Sequence, residues 1–170
     1  MRILGIDPGT MTGAAVYRFG KAVEVTAWTH VRGGYRVTQC GASVLVPTMF
    51  DLGRCIGLGV DPIDLLVIEG LGSKSWGAQP LIESVGELRA GLRFAGLVWR
   101  NEARPLAVSR NRGQVGWRRQ VLGLPDRMAA KAAEDYAIEW AAKRGLPRGL
   151  TRAEQGAAAE ALAMTYWEEP

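Results

Sequence analysis

Carboxylate side chains stand at the ends of two short apolar segments and inside an alanine-rich one. Asp7 and Glu69 each follow a run of buried-strand residues, and Glu160 lies among alanines. A charge at the end of a buried strand is costly unless it meets a divalent metal ion, a helix N-terminus or an arginine. Oxygen ligands without nearby histidine or cysteine suit Mg²⁺ or Mn²⁺, and two such ions can promote phosphodiester hydrolysis. Taken singly, each acid could be a solvated surface residue, but their joint placement favours a metal site.

The elements that must position these acids begin with three strands. The apolar pattern predicts an antiparallel meander over 2–7, 12–19 and 22–29. Gly20 and Lys21 between the last two strands are typical of a two-residue hairpin connection. The meander therefore places Asp7 at the end of its first strand.

The rest of the chain alternates between helical and strand patterns. The first predicted element is a mostly helical segment 35–58, which Pro47 interrupts or bounds. A strand 64–69, a loop 70–78 and a helix 80–95 follow. Next come a strand 97–100, which residues 105–109 either extend or follow as a separate strand, and two helices, 126–144 and 151–167. Asp126 is the expected N-cap and Gly145 the expected stop of the first of these last helices. Thr151 and Glu154 form the expected capping box of the other. We therefore predict one α/β domain over 1–170, with a five-stranded mixed sheet of three antiparallel and two parallel strands flanked by helices.

Positive charge is concentrated in one segment. Residues 100–119 hold six arginines against Glu102, a local charge of +5, which leaves −1 for the rest of a chain whose total is +4. Such a block favours a polyanion partner such as nucleic acid. The alternative is an arginine-rich solvated face.

Several other classes of protein are disfavoured. Cys40 and Cys55 are too few for a disulfide framework, and on one helical stretch they would lie roughly 20 Å apart, so we expect two buried free thiols. His30, the only histidine, is expected to be structural, which makes zinc chemistry improbable. No apolar run approaches the ~20 residues that span a bilayer, and the chain starts directly with a strand. We therefore expect no membrane partner and a cytoplasmic location.

Three segments carry a resemblance to a known family. Ile3-Leu-Gly-Ile-Asp-Pro-Gly-Thr10 with Thr12-Gly13, Val67-Ile-Glu69 and Ala159-Glu-Ala-Leu-Ala163 resemble the three signatures of RuvC-type Holliday junction resolvases. The order and spacing of elements extend the similarity over nearly the whole chain. The resemblance implies an RNase H-like fold, a homodimer and paired nicks across a four-way DNA junction. It also implies two Mg²⁺ (or Mn²⁺) ions held by Asp7, Glu69 and Glu160. Trp117–Gly123, followed by Lys131, is similar to the basic segment of phage-type members, so a phage origin and the host cytoplasm are expected.

The chain departs from the family pattern at one site position. Ala157 stands where the family usually has a fourth acid, one helical turn before Glu160. Glu154, two turns before Glu160, is not expected to replace it fully. Three explanations stay open: three acids suffice, cleavage is lost while binding is kept, or an inactivating substitution was made.

Further residues are candidates for contact with DNA. Thr10 and Thr12 serve either phosphate binding or the turn itself, and Trp76, beside Lys74, either probes the junction core or packs under its own loop. Backbone phosphates are expected to meet the basic residues Arg110, Arg112, Arg118, Arg119 and Lys131.

Two further expectations concern assembly and function class. Gly86, Ala90 and Gly91 are expected to form a dimer face or to pack on the sheet. Competing interpretations are a DNA-binding module without cleavage and an actin- or sugar-kinase-type fold, whose members are much longer and duplicate the unit.

Overall fold

A computed structural model describes residues 1–59, 63–69, 79–96, 104–105, 121–124 and 128–167. Over these residues the chain is a mixed α/β structure with a mixed sheet, in which six strands have four to ten residues and a seventh has two. The strands are β1 Arg2–Asp7, β2 Thr12–Phe19, β3 Ala22–Val31, β4 Gly34–Gln39, β5 Ala42–Val46, β6 Leu65–Ile68 and β7 Arg104–Pro105. The described helices are α1 Met49–Gly59, α2 Gln79–Phe94, α3 Ala130–Ala142 and α4 Arg152–Trp167.

The strand order across the sheet is β5-β4-β3-β2-β1-β6-β7. Strands β1 to β5 are antiparallel to their sequence neighbours, whereas β6 runs parallel to β1 and β7 parallel to β6. The predicted meander is confirmed, with its third strand two residues longer than expected. Gly20, in the turn between β2 and β3, has φ +59°, which glycine adopts without strain.

The prediction of a helix over 35–58 is wrong in its first part, and the five-strand count is wrong with it. Residues 34–46 form the β4–β5 hairpin, which adds two strands at the sheet edge. Its turn residues, Cys40 and Gly41, have φ +50° and +79°, as a two-residue hairpin loop with two positive φ values requires. Val37 and Val46 are buried, so the alternation of buried and exposed side chains expected of strands determined the structure, and the apparent helical spacing did not. A helix begins only after Pro47, which is a boundary as predicted.

The later elements follow the predicted order. Strand β6 and helices α2 and α4 lie within about a residue of their predicted bounds. Helix α3 begins after Ala129, so Asp126, itself outside the described residues, is not its N-cap. Gly145 ends α3 with φ +98°. The predicted strand 97–100 and residues 106–109 lie outside the described residues.

Both cysteines are free, in agreement with the prediction of no disulfide. The expectation that both are buried is wrong for Cys40, because it lies exposed in the hairpin turn rather than on a helix, and Cys55 on α1 is only half-buried. His30 is exposed on β3, where its ring meets Tyr35 edge-on with centroids 5.4 Å apart.

Each face of the sheet carries its own apolar core. One core joins β1–β3 to α3 and α4 and is rich in alanine, while the other joins the opposite face to α1 and α2. Gly5 on β1 lies directly under α4, where a Cβ atom would overlap the Ala161 carbonyl oxygen. The absence of a side chain at Gly5 therefore lets α4 lie close to the sheet. Among the described helices, none has the length and hydropathy needed to span a bilayer.

Candidate metal centre

Two of the candidate acids are positioned by neighbouring parallel strands. Register pairs Ile6 of β1 with Ile68 of β6, and the Glu69 backbone N–H donates to the Ile6 carbonyl at 3.0 Å. Asp7 and Glu69 follow these residues directly, so both carboxylates lie at the C-terminal ends of two neighbouring strands. Since Ile6 and Ile68 are fully buried, packing beneath the site fixes the relative position of the two acids.

The third acid comes from helix α4, across the alanine-rich core. Ala158, Ala159 and Ala161 around Glu160 are fully buried, and their small side chains keep the helix axis near β1. This is the local arrangement that the alanine pattern predicted.

The three acids meet. Carboxylate oxygens of Asp7, Glu69 and Glu160 lie within 4.8 Å of one another, and all three residues are half-buried. They form the one group of three or more potential metal ligands found among the described residues. Each side chain also takes part in other polar or charged interactions. An all-oxygen, anionic donor set of this size fits a hard divalent cation such as Mg²⁺ or Mn²⁺.

Ala157 contributes no ligand to this cluster. It lies one helical turn before Glu160, is only 8% exposed, and packs in the alanine-rich core. Position 157, where the resemblance implied a fourth acid, therefore holds a methyl group packed in the apolar core.

The Glu154 carboxylate is hydrogen-bonded to residues outside the three-acid cluster. Its Oε2 accepts hydrogen bonds from the Thr151 backbone N–H at 2.8 Å and hydroxyl at 2.9 Å, and its Oε1 accepts one from the Thr29 hydroxyl at 3.0 Å. The Glu154 N–H in turn donates to the Thr151 hydroxyl, so the predicted capping box is confirmed. Burial raises the pKa of Glu154, but the bonds from Thr151 and Thr29, with Arg36 nearby, lower it by more, and the net pKa lies below its usual value. Glu154 is thus a fixed anion outside the three-acid cluster.

The connection from β1 to β2 follows Asp7 directly and carries polar groups. Thr10 is half-buried in it, Thr12 is half-buried at the start of β2, and the Trp28 indole N–H donates to the Gly9 carbonyl at 3.3 Å. The sequence pattern did not single out Met11, which is 64% exposed beside this connection. Phosphate contact by Thr10 and Thr12 stays a prediction.

Most of the predicted DNA-binding residues lie outside the described part of the chain, namely Lys74, Trp76, Arg110, Arg112, Arg118 and Arg119. Lys131 is described and exposed in the first turn of α3. The sequence did not single out Arg36, the cation that pairs with Glu154, because its strand was interpreted as a helix. Alternation around Tyr35–Val37 and the glycine in the following turn were the signals that indicate the hairpin.

Comparison with known proteins gives matches among solved structures but none by sequence. No family model matches the chain, and no curated protein matches it. Among solved structures, the chain is similar to T. thermophilus RuvC in complex with a Holliday junction substrate. The two chains share 14% identity with a TM-score of 0.45, and the match covers 98% of this chain and 91% of the other.

Proposed function

We propose that this chain is a divalent-metal-dependent endonuclease of the RuvC type that acts on four-way DNA junctions. The observation that carries the proposal is the approach of Asp7, Glu69 and Glu160 to within 4.8 Å. An RNase H-like fold is part of the proposal, supported by a meander followed by two parallel strands, with the β4–β5 hairpin as an addition at the far edge.

The three carboxylates would hold Mg²⁺ or Mn²⁺, two ions in the full site. When bound, such ions stabilise charge on a phosphoryl group and assist attack by water. The chain itself positions the ligands on two strand ends and a helix, over a floor of buried isoleucines that excludes water from below. Thr10 and Thr12, next to Asp7, would donate hydroxyl hydrogen bonds to phosphate oxygens.

The four-way junction is proposed as substrate from the resemblance of the three sequence signatures. Paired cuts require two copies, and α2 offers a surface for a homodimer. Ile82, Gly86 and Ala90 are exposed one turn apart along it, and the space over Gly86 is open. Gly91 belongs to the opposite face, because a Cβ atom there would overlap the Phe50 carbonyl oxygen of α1. The dimer face therefore comprises Gly86 and Ala90 without Gly91.

A second candidate function is binding of branched DNA without cleavage. Two observations favour it: a methyl group occupies position 157, and Glu154 is held by Thr151 and Thr29. Neither residue completes a four-acid site.

Incubation of the chain and its Ala157→Asp variant with a labelled four-way junction, in Mg²⁺ or Mn²⁺, separates these functions. Cleavage by both means that three acids suffice, whereas products from the aspartate variant alone identify a disabled enzyme. Failure of both to bind the junction overturns the DNA proposal. Nucleotide hydrolysis without junction binding would instead support the kinase-type interpretation.

A further inference from the structure

A cavity of about 390 Å³ lies between the β4–β5 hairpin and the turn that leads into α4. Its volume falls in the range of pockets that enclose small organic ligands. The lining combines apolar surface with hydroxyl, guanidinium and carboxylate groups, chiefly from Val25, Leu150, Thr38, Ser43, Arg36 and Glu154. Such a mixture suits a flat heteroaromatic group with hydrogen-bonding edges.

Glu154 gives this cavity a buried anion with remaining capacity to accept a hydrogen bond. The residue is only 2% exposed, and its carboxylate accepts three hydrogen bonds, two from Thr151 and one from Thr29. An ionised carboxylate offers about four acceptor positions. The nearest guanidinium nitrogen of Arg36 lies 3.9 Å from Oε1, beyond hydrogen-bond distance. Arg36 thus forms an ion pair with Glu154 without a hydrogen bond. Counting donors from the described residues alone, one acceptor position is left for an N–H group.

The cavity lies close to the three-acid cluster. Glu154 precedes Glu160 by six residues on α4, about 9 Å at 1.5 Å per residue. Thr29, which binds Glu154, pairs across the sheet with Thr12, in the connection that follows Asp7. Along the axis of B-form DNA, a separation of 9 Å corresponds to the rise of about three nucleotides at 3.4 Å each.

We propose that this cavity receives one unpaired base of the DNA substrate, within about three nucleotides of the cleaved phosphate. This inference rests on the proposed function and adds a base-reading subsite to it. Glu154 accepts from the exocyclic amino group that cytosine, adenine and guanine carry and thymine lacks. Arg36, half-exposed at the rim, stacks its guanidinium on the base.

The test compares junctions that carry one unpaired nucleotide near the crossover, either deoxycytidine or deoxyuridine. The two bases have the same size, and uracil has a carbonyl in place of the amino group of cytosine. Affinity is measured in EDTA, so that no strand is cut. We expect about tenfold weaker binding of the deoxyuridine junction at one position and no difference at the others.

Three variants assign that difference to the cavity. Ser43→Tyr fills the cavity and should abolish the difference, while Val44→Tyr, on the opposite face of β5, should preserve it. Glu154→Gln retains an acceptor for the capping box, but its amide can donate to the uracil carbonyl, so the preference should fall or reverse. An unchanged metal-induced rise in Tm shows that each variant is folded with an intact three-acid cluster.

The outcomes separate the two proposals. Equal affinity for both junctions at every position, with the junction still bound, overturns the base subsite and leaves the nuclease proposal standing. A preference that survives in Ser43→Tyr also overturns the subsite, because the base is then read elsewhere. Absence of junction binding overturns both.

Discussion

Single side chains determine whether three distant segments form a metal site. Asp7, Glu69 and Glu160 were all predicted from sequence, because strand-end carboxylates and an acid among alanines are local patterns. The sequence could not indicate how close these acids approach one another, since their separation depends on the register of β1 with β6 and on the depth of α4. Glu154 shows the same limit: its capping role was local and predictable, while its bond to Thr29 is a long-range contact.

Removal of one carboxylate should abolish the response to metal. We expect saturating Mg²⁺ or Mn²⁺, at about 100 times Kd, to raise the Tm by about 5–10 °C, and Glu69→Gln to lose most of this rise. Junction cleavage, where the parent chain shows it, should fall at least the ~100-fold that loss of a metal site's supporting partner can cost. Thermal melts with and without metal test this, with Glu24→Gln, an exposed acid on β3, as the matched control. A full metal response in Glu69→Gln would contradict the site.

Glu154 should make stability depend on pH in the acid range. Its pKa is lowered on folding from an ordinary value of 4.5. Its contribution is therefore complete above about pH 4.5 and is lost as the pH falls through the lower folded-state pKa. Urea unfolding of Glu154→Gln from pH 7 to pH 3 should show a weaker pH dependence than the parent chain. Glu139→Gln, on an exposed pair with Lys143, should retain it, and equal slopes for all three proteins would contradict this assignment.

Secondary structure elements position the acids, and Glu160 depends on the close contact between α4 and β1 at Gly5. The sequence predicted both elements but not the contact at Gly5, because close approach depends on two distant segments at once. The β4–β5 hairpin was missed for a different reason: alanine, leucine and cysteine around a central glycine suit either structure, and burial of Val37 and Val46 decided between them.

Gly5→Ala should push α4 away from the sheet. The added methyl group would overlap the Ala161 carbonyl and the Thr165 side chain, at a cost of about 1–3 kcal/mol in the free energy of unfolding. Because Glu160 moves with the helix, the metal-induced rise in Tm should shrink as well. Gly149→Ala, where the space is open and φ is not positive, is the control. Unchanged stability in Gly5→Ala would show that α4 tolerates displacement.

At the scale of the whole molecule, charge distribution and self-association are the features on which the proposed binding of DNA depends. The net charge of +4 and the arginine block over 100–119 are available from sequence alone. The positions of those arginines relative to the three acids are a matter of tertiary structure. All of them except Arg104, in β7, lie outside the described residues. Within the described residues, Lys131 allows a test of phosphate contact, and the exposed face of α2 allows a test of dimerisation.

Lys131 should contribute one phosphate contact. Lys131→Gln is expected to weaken junction binding and to reduce the slope of log affinity against log salt by about 1. Titrations at several salt concentrations measure this slope. Lys143→Gln, which removes a cation already 3.2 Å from Glu139, should change the slope little, and the reverse result would move the DNA path away from the start of α3.

The proposed homodimer should depend on the exposed face of α2. Ala90→Arg places a charge on that face and should convert a dimer into a monomer without loss of fold, as measured by light scattering coupled to size exclusion. Ala132→Arg makes the same change at an exposed position of α3 and should leave the dimer intact. A dimer that survives Ala90→Arg would place the interface elsewhere.

The outermost strand carries a consequence for handling the protein. Strand β5 has one hydrogen-bonded neighbour among the described strands, lacks any charged residue, and exposes Val44 and Leu45 by 51% and 60%. Such a margin can template the same strand of another molecule and start ordered aggregates. Concentrated solutions should therefore aggregate by pairing of β5 strands from different molecules, and the Leu45→Lys variant should stay soluble.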